Sequence, residues 1–254
     1  MSVADGPAEG IALSIPACDA AASFERDYQE VARIVGTVPW ESALPPRAGR
    51  FGWRLGQVVK RGIDIVVAVL LGIVVAPLLV VLGALTVLDS GWPVFYPWRV
   101  LGHRGRRFTG YKIRTMVPDA DRMKAQYNHL NEMSGPVFKI RNDPRVTRVG
   151  RFLRKYSLDE LPQLWSVLIG DMSLVGPRPP SPGEFLQYAE WQRLKLAVRP
   201  GVTCLWQVSG RNKISSFDDW ARLDLAYIGD WSLWLDVAIL ARTLPAVLRG
   251  DGAY

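Results

Sequence analysis

The chain has 254 residues, 49% of them hydrophobic, and a formal net charge of +7. This suffices for one substantial domain with attachments, and the non-periodic Gly and Pro argue against a collagen-like or linker protein. The basic balance calls for anionic partners (phosphates, acidic lipid heads or nucleic acid), while two cysteines and two histidines, all isolated, argue against a disulfide framework, a His-based metal site and a His-dependent triad.

Residues 1–20 carry no basic stretch ahead of an apolar run, so no secretory signal is read there. Residues 1–55 read as an N-terminal extension, rich in small residues and interrupted by Pro39, Pro45 and Pro46. Its composition predicts partial disorder with one short helix near Phe24–Val35.

Ile65–Leu88 follows, 24 residues without a charge. A helix needs about 20 residues to cross the hydrocarbon, and soluble helices seldom lack any polar face at this length. Pro77 sits at its middle, where it removes a hydrogen bond and kinks the axis. Arg47, Arg50, Arg54, Lys60 and Arg61 precede the segment; Arg99, Arg104, Arg106, Arg107, Lys112 and Arg114 follow it. A simple span has one basic side and one poorer side. Two basic flanks predict a re-entrant helix over residues 56–90 that enters and leaves the same leaflet with its bend at Pro77.

Residues 91–254 read as the domain that follows this helix. Asp89–Pro93 is a turn signal, and Val94–Tyr96 and Phe108–Ile113 read as short strands. Residues 119–130 look helical. Asp119-Ala120-Asp121 has the D-x-D form that Leloir-type glycosyltransferases use for metal, but Pro118 before it favours a helix start. Arg145, Arg148, Arg151 and Arg154 recur every three residues. On one helix they would form a cationic strip or merely a solvated face. No nucleic-acid-binding motif accompanies them, so nucleic acid is not the expected partner.

Ser157-Leu158-Asp159-Glu160-Leu161-Pro162-Gln163 comes next. Ser157 with Glu160 matches a capping box, yet Pro162 fits better if Asp159 is the cap, because the proline then falls in the first turn. An apolar helix is expected over 159–169. Adjacent carboxylates beside arginines are also a chemical combination. Carboxylates hold Mg²⁺ or attack phosphorus, and arginines stabilise the transferring charge. In Gly170–Pro180, Pro177 and Pro179 fix Arg178 in an extended backbone suited to presenting a guanidinium to phosphate, or serve only as a rigid connector. Residues 217–228 and 231–248 predict a helical end bearing Trp220, Trp231 and Trp234, with Trp191 and Trp206 upstream. Such rings suit a headgroup interface or an ordinary core.

Taken in order, several stretches resemble the bacterial sugar transferases, the monotopic polyprenyl-phosphate phosphoglycosyl transferases. They are Lys60–Asp64, Pro93–Tyr96, Tyr111–Met116, Asp143–Arg148, Ser157–Gln163, Gly170–Pro179, Pro200–Thr203, Leu205–Arg211 and Gly252–Tyr254. The resemblance covers Lys60 to Tyr254. It implies an α/β, mostly helical fold with few short strands, interfacial amphipathic helices and a re-entrant helix broken at a proline, here Pro77. It implies transfer of a sugar-1-phosphate, a glucose or galactose phosphate, from a UDP-sugar to undecaprenyl phosphate with release of UMP. The place is the cytoplasmic face of the bacterial inner membrane, and the reaction starts a surface glycan or exopolysaccharide. The family dyad falls on Asp159, as nucleophile and Mg²⁺ ligand, and Glu160, as its support. The basic binding positions fall on Arg154, Arg178 and Arg211, with Lys112 and Arg114 as further ones, and Asp224 matches an acidic position toward the lipid phosphate. The resemblance also implies a homodimer as one assembly. Cys204 and Ile113 depart from the usual glycine and phenylalanine. The stretch before Lys60 holds no further spanning helix, as expected of a compact form.

Overall fold

The computed structural model describes residues 18–45, 50–210 and 214–250. Arg211 and Gly252–Tyr254, parts of the family pattern, lie outside the described residues. The fold is mostly helical, with two small two-stranded sheets.

Helix α1 spans Cys18–Val35, longer than the expected Phe24–Val35. Its inward face is apolar: Val31 is fully buried, in one core cluster with Trp40, Phe185, Tyr188, Leu196, Trp206 and Trp220. Arg107 donates to Glu25 at 3.0 Å and lies 4.7 Å from the centroid of the Tyr28 ring. Val31, Val38 and Trp40 therefore join the core, through burial that composition alone could not foresee.

Helix α2, Arg50–Ser90, is 41 residues long and continuous through Pro77. The missing proline N–H removes one bond without ending the helix. Among the described residues it is the one helix long and apolar enough to cross a membrane, and little of its apolar window is buried. Ile73, Val74 and Val80 are about 70% exposed (69%, 71% and 73%).

Both ends of α2 dock on the same domain. Near the start, Lys60 Nζ donates to Asp236 Oδ2 (2.6 Å) and to Val175 O (3.0 Å). Arg61 donates to Val167 O and Leu168 O, and Asp64 accepts from Leu174 N–H. Near the end, Leu82 packs on Ile113 and Leu153, and Asp89 accepts from Val149 N–H at 2.9 Å. Arg114 donates to the carbonyls of Ser90, Gly91 and Pro93, satisfying acceptors that a helix end leaves open.

Strands β1 (Phe95–Leu101) and β2 (Arg107–Ile113) form an antiparallel hairpin with Trp98 opposite Gly110 and Tyr96 opposite Lys112. Alternation puts Tyr96, Trp98, Gly110 and Lys112 on one face. Helices α3 (Ala120–Met123), with Asp119 at its N-cap, and a 3₁₀ segment Lys124–Leu130 divide the stretch expected to be one helix. Helix α4, Arg148–Lys155, is capped by Thr147, whose hydroxyl accepts from Gly150 N–H at 3.0 Å. A β-carbon on Gly150 would sit 2.0 Å from Thr115 O, so only glycine lets α4 lie this close to the end of the hairpin.

The remaining elements complete the domain around the strands β3 (Ser173–Val175) and β4 (Gly201–Thr203), which pair in parallel. They are α5 (Leu164–Ile169), α6 (Pro182–Leu186), α7 (Glu190–Arg193), α8 (Leu205–Val208), α9 (Phe217–Gly229) and α10 (Leu233–Arg249). The two terminal helices match their expected ranges. The tryptophans of this region divide: Trp206 of α8 and Trp220 of α9 stack in the core at 3.9 Å, whereas Trp234 of α10 is 78% exposed.

Candidate active site

A cavity of about 340 Å³ opens where the hairpin, α4, the turn after α4 and the loop after β3 meet. Ser157 sets its geometry. With φ 52° this serine adopts the left-handed region, which non-glycine residues seldom occupy. It ends α4 and starts the 3₁₀ segment Leu158–Gln163, so Arg154 and the Asp159–Glu160 pair stand on either side of one sharp turn. This corrects the expectation of Asp159 as cap of a helix over 159–169. The α-helix begins only at Leu164, after Pro162, which has no N–H for the preceding turn.

The expected cationic strip is not one face either. Arg145 is buried outside α4, donating to both oxygens of Asp143 at 2.9 and 2.6 Å. Arg148 and Arg151 face solvent. Only Arg154 turns inward, its Nε donating to Thr115 Oγ1 at 2.9 Å. A three-residue spacing drifts round a helix of 3.6 residues per turn, and Arg145 precedes the helix, which starts only at Arg148. Burial presses the Arg154 guanidinium pKa down, against the nearby carboxylates of Asp159, Asp143 and Glu160. It remains charged regardless, as arginine does in proteins.

Asp159, Glu160, Arg154, Arg178, Lys112 and Arg114 all line the cavity. Lys112 Nζ donates to Glu160 Oε1 at 2.8 Å, and Arg178 reaches in from the proline-flanked loop. Arg114 borders the cavity while its guanidinium is spent on the carbonyls at the end of α2. Asp224 is placed differently. It does not line the cavity, and its carboxylate is 1% exposed and paired with Lys195 at 2.6 Å. Burial raises its pKa against the lowering by Lys195. Arg211 lies outside the described residues.

Trp98 and Thr115, given no role from sequence, also line or support the cavity, as do Asp121 of the D-x-D form and Arg145 of the arginine row with its partner Asp143. Strand β1 runs past the expected end at Tyr96 to Leu101, through Pro97, which an edge strand tolerates, and so takes in Trp98. The alternation of Tyr96 and Trp98 was the available signal.

No group of three or more Asp, Glu, His or Cys is arranged to hold a metal among the described residues. Mg²⁺ does not require one: it takes one or two carboxylates and completes its shell with phosphate oxygens and water. Asp159 and Glu160 on the wall of a cationic cavity fit that donor set.

A family model described as bacterial sugar transferase matches residues 55–250. The galactosyl transferase CpsE of Streptococcus agalactiae is 42% identical over 77% of this chain and 43% of its own length. The undecaprenyl-phosphate galactose phosphotransferase of Salmonella typhimurium is 42% identical over 79% of this chain and 43% of its own length. The exopolysaccharide production protein ExoY of Rhizobium meliloti is 40% identical over 79% of this chain and 90% of its own length. The chain thus spans less than half the length of the first two relatives and nearly all of the third.

Proposed function

The chain belongs to the bacterial sugar transferase family, and we propose from this that it transfers a hexose-1-phosphate, of glucose or galactose, from a UDP-sugar to undecaprenyl phosphate. The reaction releases UMP and is the first membrane step of exopolysaccharide or surface-glycan synthesis. The observation that carries the reading is the Asp159–Glu160 pair on the wall of a cavity shared with Lys112, Arg154 and Arg178.

Asp159 acts as the nucleophile. A carboxylate oxygen of Asp159 forms a bond to the sugar-bearing phosphorus, and the bond from that phosphorus to the UMP oxygen breaks. A phosphate oxygen of the lipid then attacks the same phosphorus and returns the carboxylate. Arg154 and Arg178 meet the charge that spreads over the transferring group. Lys112 holds Glu160 beside the nucleophile. Mg²⁺ would be held by Asp159, with Glu160 beside it, and would neutralise part of the diphosphate charge.

The docking of both ends of α2 on one domain supports a re-entrant helix, because one domain cannot occupy both faces of a bilayer. In this arrangement the apolar middle around Pro77 dips into the cytoplasmic leaflet of the inner membrane and keeps Asp159 near the headgroups. There a soluble UDP-sugar and a lipid phosphate can both arrive.

The test is a panel of UDP-sugars with undecaprenyl phosphate and Mg²⁺. Lipid-dependent release of UMP from UDP-glucose or UDP-galactose is expected. Release of UDP instead would make the chain a glycosyl transferase, and no lipid-dependent release from any donor would sink the proposal.

A further inference from the structure

We propose that Trp98 is a positioning residue whose indole fixes Lys112 and Arg178 as a paired cationic clamp for a nucleoside diphosphate; this rests on the transfer reading above. The two cations come from different elements, Lys112 from β2 and Arg178 from the loop after β3, yet converge on one ring. Lys112 Nζ lies 4.2 Å from the Trp98 centroid and Arg178 Cζ 5.6 Å from it. Both are within the roughly 6 Å over which an aromatic face attracts a cation.

The ring is itself held in place. Trp98 is half-buried, stands opposite Gly110 in the hairpin and packs against the core cluster around Val100, Phe108 and Val167. It lines the same cavity as Asp159.

The choice of an aromatic holder has a chemical consequence. A carboxylate beside a cation cancels the charge that a phosphate would meet. An indole face restrains the cation through its quadrupole and adds no counter-charge of its own, so Lys112 is offset only by Glu160. Lys112 needs such restraint, because its ammonium ends a flexible stem and one side of it already meets Glu160. Arg178 has a backbone stiffened by Pro177 and Pro179 but a long, flexible side chain. Without the ring, two like charges in one cavity repel and swing apart toward water. With it, both stay beside one ring on the cavity wall, where a diphosphate can meet them together.

Trp98→Leu and Trp98→Met remove the π face and keep apolar bulk; Trp98→Phe keeps a smaller face. The probe is UDP, bound to the full-length protein and followed by calorimetry. Alongside it go KM and kcat for the UDP-sugar, KM for the lipid and the unfolding midpoint. Losing the cation–π contacts should weaken UDP about tenfold in the Leu and Met variants and raise KM for the UDP-sugar in step. The lipid KM and the unfolding midpoint should stay near wild type, and Trp98→Phe should recover most of the affinity. Wild-type UDP affinity in the leucine variant overturns the clamp, as does a phenylalanine variant as weak as leucine. So does loss of cooperative unfolding in both apolar variants, which would make Trp98 a packing residue. A wild type that binds no UDP also overturns it. A wild type that binds UDP but releases no UMP refutes the transfer reading instead, and the clamp is then decided by the same UDP affinity ratios.

Discussion

Lys112 Nζ stands 2.8 Å from Glu160 Oε1, with only 16% and 14% of the two side chains exposed. The hairpin and the turn after α4 are thereby joined by one ion pair inside the cavity that holds Asp159. Groups that act as a unit give non-additive losses when removed. Lys112→Met and Glu160→Gln should each lower UMP release about tenfold or more, and the double variant should be little worse than the poorer single one. That corresponds to a coupling of about 0.5–3 kcal/mol. Strictly additive losses would show that the two residues work independently.

Asp159→Asn keeps the shape of the side chain and removes the attacking charge. UMP release should fall about a thousandfold or more, while membrane association and the unfolding midpoint persist. Turnover close to wild type would refute the assigned nucleophile.

Arg178→Ala removes a guanidinium from the cavity wall without touching the docking of α2. KM for the UDP-sugar should rise about ten- to a hundredfold, the scale of a hydrogen bond to a charged group. KM for the lipid should change much less. Equal loss of both substrates would count against a nucleotide-side role.

Asp143 gives a pH signature. Burial alone would raise its carboxyl, but the hydrogen bonds and charge of Arg145 prevail and hold it below its ordinary value of 3.8. A carboxyl lowered on folding favours the native state above its unfolded value. The contribution is lost as pH falls through the folded value, so it fades only below 3.8. Breaking the pair near neutrality costs about 3–5 kcal/mol. The gap in unfolding midpoint between wild type and Asp143→Asn should therefore be wide at pH 7 and narrow below pH 3.8. A gap independent of pH in that range would show that the charge of Asp143 is not what stabilises.

Single cysteines in place of Arg54 and Arg107, probed in membranes with an impermeant reagent, test the topology. The Arg107–Glu25 pair is half exposed, so its loss should be mild. Both cysteines should label from the same side. Labelling from opposite sides would make α2 a full span and remove the re-entrant reading.

The sequence by itself was enough for the long apolar run and the terminal helices. Ile65–Leu88 lacks a charge over 24 residues, and no tertiary context hides such a run. Asp159-Glu160, Arg154 and Arg178 were legible through the family resemblance, and Pro177 and Pro179 marked the stiff loop of Arg178, whereas the local reading of Pro162 placed the helix start too early. The terminal helices were legible from their periodicity. Tertiary structure decided what depends on meeting partners far apart in sequence. It turned a row of arginines into three different environments, because Arg145 found Asp143, Arg154 found Thr115, and Arg148 and Arg151 found water. It buried Asp224 against Lys195 and left it out of the cavity lining. It carried β1 past Pro97 and so brought Trp98 to Lys112 and Arg178. Local spacing fixes which way a side chain leaves its own helix or strand, but burial and charge pairing are set by whatever the rest of the chain brings opposite it.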